Sequence, residues 1–94
     1  MKVVRLNASG WETAEDFYSA LLPQLGAPAW HGRNLDALND SLYGGINKVG
    51  PPFRVQIEGA ENLRPEMSQF LSKVAAVFDD VRTETQAEIA FEIF

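Results

Sequence analysis

The block Trp30-His31-Gly32-Arg33-Asn34-Leu35-Asp36-Ala37-Leu38-Asn39-Asp40-Ser41-Leu42 gathers a tryptophan, the only histidine, a glycine and two aspartates. Three chemistries are open to such a set. Asp36, Asp40 and His31 could serve as acid and base or hold a metal ion. With no cysteine and no second histidine a metal site has few ligands to draw on, and carboxylates on an open helix face resist the burial that tunes catalytic groups. Gly44-Gly45 could cradle a phosphate, but no Lys-Ser/Thr pair follows it, so it reads as a helix stop. The third chemistry is recognition by charge. Asp36, Asn39, Asp40 and Tyr43 fall on one helical face, and an acidic face beside an aromatic loop suits a positive partner.

The elements that position this face can be read from period. Leu35, Leu38 and Leu42 follow i, i+3 and i+7, the buried stripe of a short helix, with Asn34 placed to cap it. Upstream, Val3, Val4 and Leu6 predict a first strand. Thr13 and Asp16 open a helix whose face is Phe17, Leu21 and Leu25, disturbed by Pro23 and ended by Gly26. Downstream, Gly44-Gly45 and Val49-Gly50-Pro51-Pro52 predict a break and an extended loop. Residues 53–58 alternate apolar and polar as a half-buried strand. Pro65 suits the first turn of a longer helix with Met67, Phe70, Leu71, Val74, Phe78 and Val81 as its stripe. Ile89, Phe91 and Ile93 alternate as a last strand. The reading is an α/β fold in the order strand-helix-helix-strand-helix-strand, a small three-stranded parallel sheet with helices packed on it. The alternation in residues 53–58 implies that only one sheet face is covered.

At 94 residues the chain is expected to form one domain, residues 1–94. No apolar run approaches the ~20 residues of a membrane span. Met1-Lys2-Val3-Val4-Arg5 lacks the apolar core of a secretory signal, which predicts a cytoplasmic protein. The net charge is −5, and its placement is uneven. Residues 1–57 hold five acids and five bases, residues 58–94 eight acids and three bases, so the second part carries the whole imbalance. Such a surface repels phosphate backbones and attracts basic proteins. Acids outside the central contact, Asp79 and Glu84 among them, are expected to steer a cationic partner from a distance.

The block also resembles the signature of the barstar family of ribonuclease inhibitors: aromatic, any residue, Gly, any residue, Asn-Leu-Asp-Ala-Leu, any residue, Asp. It is met by Trp30, Gly32, Asn34, Leu35, Asp36, Ala37, Leu38 and Asp40. The order of elements matches over essentially the whole chain. The resemblance implies a barstar-like fold that plugs the active site of a basic microbial ribonuclease or RNase toxin, a protein that is no enzyme and needs no cofactor. It would act as an immunity protein, a monomer when free, in a one-to-one complex.

The implied partner face comprises Trp30, His31, Gly32, Asn34, Leu35 and Asp36, then Asn39, Asp40, Tyr43 and Gly44, with Asp80 as a second acidic contact. Asp40 would take the place of a substrate phosphate. Asp36 serves the helix dipole as readily as a contact, and Trp30 either packs under its loop or stands out as an anchor. His31 reads most simply as a loop residue. The family's best-known member is aromatic at Asn39 and Gly45, acidic at Arg33, and shorter between Gly45 and Pro52. A reversed charge at Arg33 would repel the wrong enzyme, so a different partner is expected. The alternatives are an acidic module that regulates another basic protein and, less favoured, a small enzyme using Asp36, Asp40 and His31.

Overall fold

A computed structural model describes all 94 residues. Strand β1 spans Lys2–Asn7, helix α1 Ala14–Leu25, helix α2 Leu35–Gly44, strand β2 Phe53–Glu58, helix α3 Pro65–Thr85 and strand β3 Ile89–Ile93. The strands lie in the order β1-β2-β3 and both pairings are parallel, with Val4 opposite Val55 and Val55 opposite Phe91. This is the α/β fold read from period.

Because side chains alternate along a strand, the register sorts the sheet into two faces. Val4, Leu6, Phe53, Val55, Ile57 and Ile89 are buried against the helices. The other face is open and polar: Glu92 on β3 accepts from Arg54 and from Gln56 on β2, each at 3.2 Å. The one-sided cover is therefore as the alternation implied.

On α1, Phe17 sets its ring edge-to-face against Trp11, Tyr18, Phe70 and Phe91 at centroid distances of 5.2–6.3 Å. One side chain thus joins α1, α3 and β3. Asp16 closes the helix start by accepting from the Glu12 and Thr13 N–H groups at 2.7 and 3.2 Å. Those bonds hold its carboxyl below the usual carboxylate range. Pro23 lies within the helix and does not end it. Gly26, at φ +66°, does. The α3 stripe is buried at Met67, Leu71, Val74, Phe78 and Val81, with Phe70 half-buried. The helix continues to Thr85, about one turn beyond that stripe.

Helix α2 departs from its expected stripe. Only Leu38 is fully buried, while Leu35 and Leu42 are half-buried. The face is completed by Ser41, 1% exposed. Its hydroxyl donates to the Leu38 carbonyl at 3.0 Å and accepts from Asn47 Nδ2 at 3.1 Å. A serine can satisfy its hydroxyl within one helical turn, which is how it enters a core that period alone reserves for leucine. Asn34 caps the helix as expected, its Oδ1 accepting from Ala37 N–H at 2.8 Å.

The exit loop of α2 is seated on the end of α1. Lys48 N–H donates to the Gly26 carbonyl at 3.2 Å and Val49 N–H to the Leu25 carbonyl at 3.0 Å. A Cβ on Gly26 would lie 2.7 Å from Lys48 Cβ, so this approach needs glycine for space as well as for its positive φ. Two substitutions test how α2 is held. Leu38→Ala should cost about 2–5 kcal/mol and Asn34→Ala about 1 kcal/mol in urea unfolding. A cost under about 1 kcal/mol for Leu38→Ala would show that α2 is anchored elsewhere.

Candidate partner-binding face

Asp36 lies in the first turn of α2 and Asp40 one turn later on the same face. Both are exposed. Asp36 therefore has a favourable place at the positive end of the helix, whereas Asp40 lies beyond the reach of that dipole. Tyr43, 40% exposed, continues the face, and its hydroxyl donates to the Glu84 carboxylate of α3. That bond, some desolvation, and the negative charges of Glu84 and Asp80 push the Tyr43 phenol up to about 12. Asp80 and Glu84 are themselves exposed and one helical turn apart. Tyr43 thus joins two acidic rows, one from each helix.

None of these four carboxylates meets a base. The ion pairs of the molecule are Arg33–Glu15, Arg54–Glu92 and Arg82–Asp79. The face is also not a hollow. The two clefts of the molecule, each of about 310 Å³, are lined by Ser9–Glu12 with Gly59 and Glu61–Arg64, and by residues of the α1 end with Ala27–Ala29, His31 and Arg33. Asp36, Asp40, Asp80 and Glu84 line neither. Small-molecule sites are concave, and this open row of acids without basic partners is not.

Trp30 is 74% exposed, which decides between the two readings of that residue: it stands out from its loop. Ile46, just past α2, is exposed as well. Gly32 lies close over the start of α2, where a Cβ would come within 3.1 Å of Ala37 Cβ and 3.2 Å of Asn34 Nδ2. Gly44 is exposed at the end of the helix, and Gly45 follows in the left-handed region at φ +66°.

Some of the expected contact residues are wholly or partly buried. His31 is buried, 8% exposed. Its Nδ1 donates to the Gly32 carbonyl at 2.6 Å, and its Nε2 is sealed without a partner. The ring is buried in its loop and makes no hydrogen bond to Asp36 or Asp40. No three His, Cys, Asp or Glu side chains come together as metal ligands. Leu35 and Asn39 are half-buried, Leu35 packing on the core.

Glu84, read as a remote steering charge, is bonded within the face. Asp79, read the same way, is paired with Arg82 three residues on. Arg33, read as a repulsive charge, turns to Glu15 and Ser19 of α1. The Tyr43–Glu84 pair spans 41 residues, and no periodic signal links positions that far apart.

The comparison with known families decides the class. The model of a family described as Barstar (barnase inhibitor) matches residues 1–94. The chain belongs to the barstar family. A comparison with curated proteins finds no match. The barstar family is one of ribonuclease inhibitors, and membership implies a ribonuclease as the class of protein partner. No helix is long and apolar enough to cross a membrane.

The Tyr43–Glu84 bond has a measurable consequence. Burial without a hydrogen bond also pushes Tyr18, the other tyrosine, up to about 12. Ultraviolet titration should find both phenols ionising about two units above the ordinary value near 10. The neutral phenols are favoured by the fold, so their stabilisation is complete below pH ~10 and lost as pH rises from 10 through 12. Glu84→Gln should bring only one of the two phenols back down. A Tyr43 phenol titrating near 10 in the unaltered protein would contradict the pairing.

Proposed function

We propose that this barstar-family protein inhibits a basic microbial ribonuclease or RNase toxin by entering its active-site cleft, as a cytoplasmic immunity protein for the cell that makes that enzyme. The observation that carries the reading is the exposed set of four carboxylates on α2 and α3 that meet no base. A ribonuclease cleft is lined with cations that hold substrate phosphates, and carboxylates at matching places satisfy the same cations.

In this reading Asp40 is the central phosphate surrogate. It gains little from the helix dipole and has no partner within the fold, so its charge is fully available. Asp36 and Asn39 flank it. Asp80 and Glu84 form a second acidic lobe, with Tyr43 between the two. Trp30 supplies an aromatic anchor at one margin, of the kind that concentrates binding energy at interfaces. Asn34, Gly32, His31 and Leu35 act from beneath by shaping the loop and the helix start, and Gly44 lets the chain turn away at the far end. The free protein is a monomer and the complex is one-to-one.

The enzyme reading has no observation in its favour: the acids lie on an open face and the histidine is sealed away from them. The broader reading, an acidic module for some other basic protein, shares the same face and differs only in the identity of its partner.

Asp40→Ala should abolish most inhibition of the cognate ribonuclease while leaving the fold intact. Stranding a buried cation of the partner costs about 2–5 kcal/mol or more, a scale established on the family's namesake complex and not on this chain. Inhibitor titration of ribonuclease activity, with circular dichroism as the check on folding, decides it. Inhibition unchanged by the substitution would remove Asp40 from its role. Partners lacking any ribonuclease activity would favour the broader module.

A further inference from the structure

Arg33 is the one base in an otherwise acidic and neutral block, and its guanidinium points away from the acids. Nη1 donates to the Glu15 carboxylate and to Ser19 Oγ, the latter at 2.9 Å. Glu15 and Ser19 are one turn apart on α1 and 18 and 14 residues from Arg33 in sequence. Every other hydrogen bond made by residues 28–34 is local. His31 N–H donates to the Pro28 carbonyl at 2.9 Å, His31 Nδ1 to Gly32, and Asn34 accepts from the helix it caps. Apart from the cap on α2, Arg33 is therefore the only hydrogen-bonding tie from the Trp30 loop to another element of the fold, alongside the packing of the buried His31 ring.

We propose that Arg33 is a positioning residue of the recognition face: its clasp on Glu15 and Ser19 holds the loop so that the exposed Trp30 indole stands in register with the acids of α2. The relevance of this register to a ribonuclease rests on the function proposed above; the clasp itself does not. Side chains of Arg33 and Glu15 are 44% and 62% exposed, and ion pairs that open to solvent add little to global stability. Their loss should loosen a loop rather than unfold a domain. The cost falls on binding, because a loop that moves in the free protein must be ordered in the complex. The same geometry removes Arg33 as a repulsive charge, since its guanidinium is already matched by Glu15.

A charge swap tests this, with Trp11→Phe as background so that Trp30 is the only fluorophore of its kind. Glu15→Arg and Arg33→Glu should each lower the fluorescence anisotropy of Trp30 in the free protein. Each should also raise the dissociation rate from the ribonuclease by about 2- to 12-fold, with melting shifted by less than about 4 °C. The double variant should restore both readouts. Single variants with unchanged anisotropy, or a double variant that restores nothing, would overturn the clasp. Dissociation altered by Arg33→Glu at unchanged anisotropy would mean that Arg33 touches the partner directly, which also overturns it. Lowered anisotropy with unaltered dissociation would leave a purely structural tie and end its role in recognition. If the unaltered protein binds no ribonuclease, the functional reading falls, and the anisotropy of the free protein still decides the clasp.

Discussion

Helix α2 has ten residues, too few to persist by itself in water, and it carries Asp36 and Asp40 on its exposed face. Its place depends on burial of Leu38, the one fully buried apolar side chain it has. The Asn34 cap and the Ser41–Asn47 hydrogen bond assist from either side. The rest of the fold serves this small anchor. Helix α2 packs against the long helix α3, and the end of α1 receives the loop that leaves α2. Held this way, a short helix can devote its outer face almost wholly to polar groups.

That face is electrostatically unfavourable in the free protein. Two carboxylates of α2 and two of α3 share one region with no base to match them. Asp80 and Glu84 also lie towards the carboxyl end of α3, where the helix dipole disfavours negative charge. Like charges on an exposed surface repel by modest amounts in water, and the aromatic cluster around Phe17 and the buried stripe of α3 outweigh them. The acids become favourable only against a cationic surface. Surface stability has in this sense been exchanged for complementarity, a common relation at functional sites.

Bases of the molecule are distributed to keep that face unmatched. Arg33 is turned back to α1, Arg54 bonds Glu92 across the open sheet face, and Arg82 holds Asp79. Glu15, Glu92 and Asp79 keep them occupied. The Tyr43 hydroxyl, a neutral donor, is the only group the fold offers to Glu84, and it orients the carboxylate without cancelling its charge.

Local signals in the sequence determined the six elements, their order and the Asn34 cap, because strand alternation, helical period and capping depend on residues within a few positions of one another. They determined the one-sided sheet through the alternation of residues 53–58, and the family signature singled out Asp36, Asp40 and Trp30. The tertiary structure decided what those signals could not carry. It buried His31 and Ser41, which period and polarity had left outside. It turned Arg33 onto Glu15 and brought Glu84 into the recognition face through Tyr43. It also showed Trp30 projecting where composition allowed either fate. The Arg33 and Tyr43 bonds join residues 14 to 41 positions apart, and such pairs exist only once packing has brought separate elements together. A side chain's type states what it can bond, and only the assembled fold states what stands within its reach.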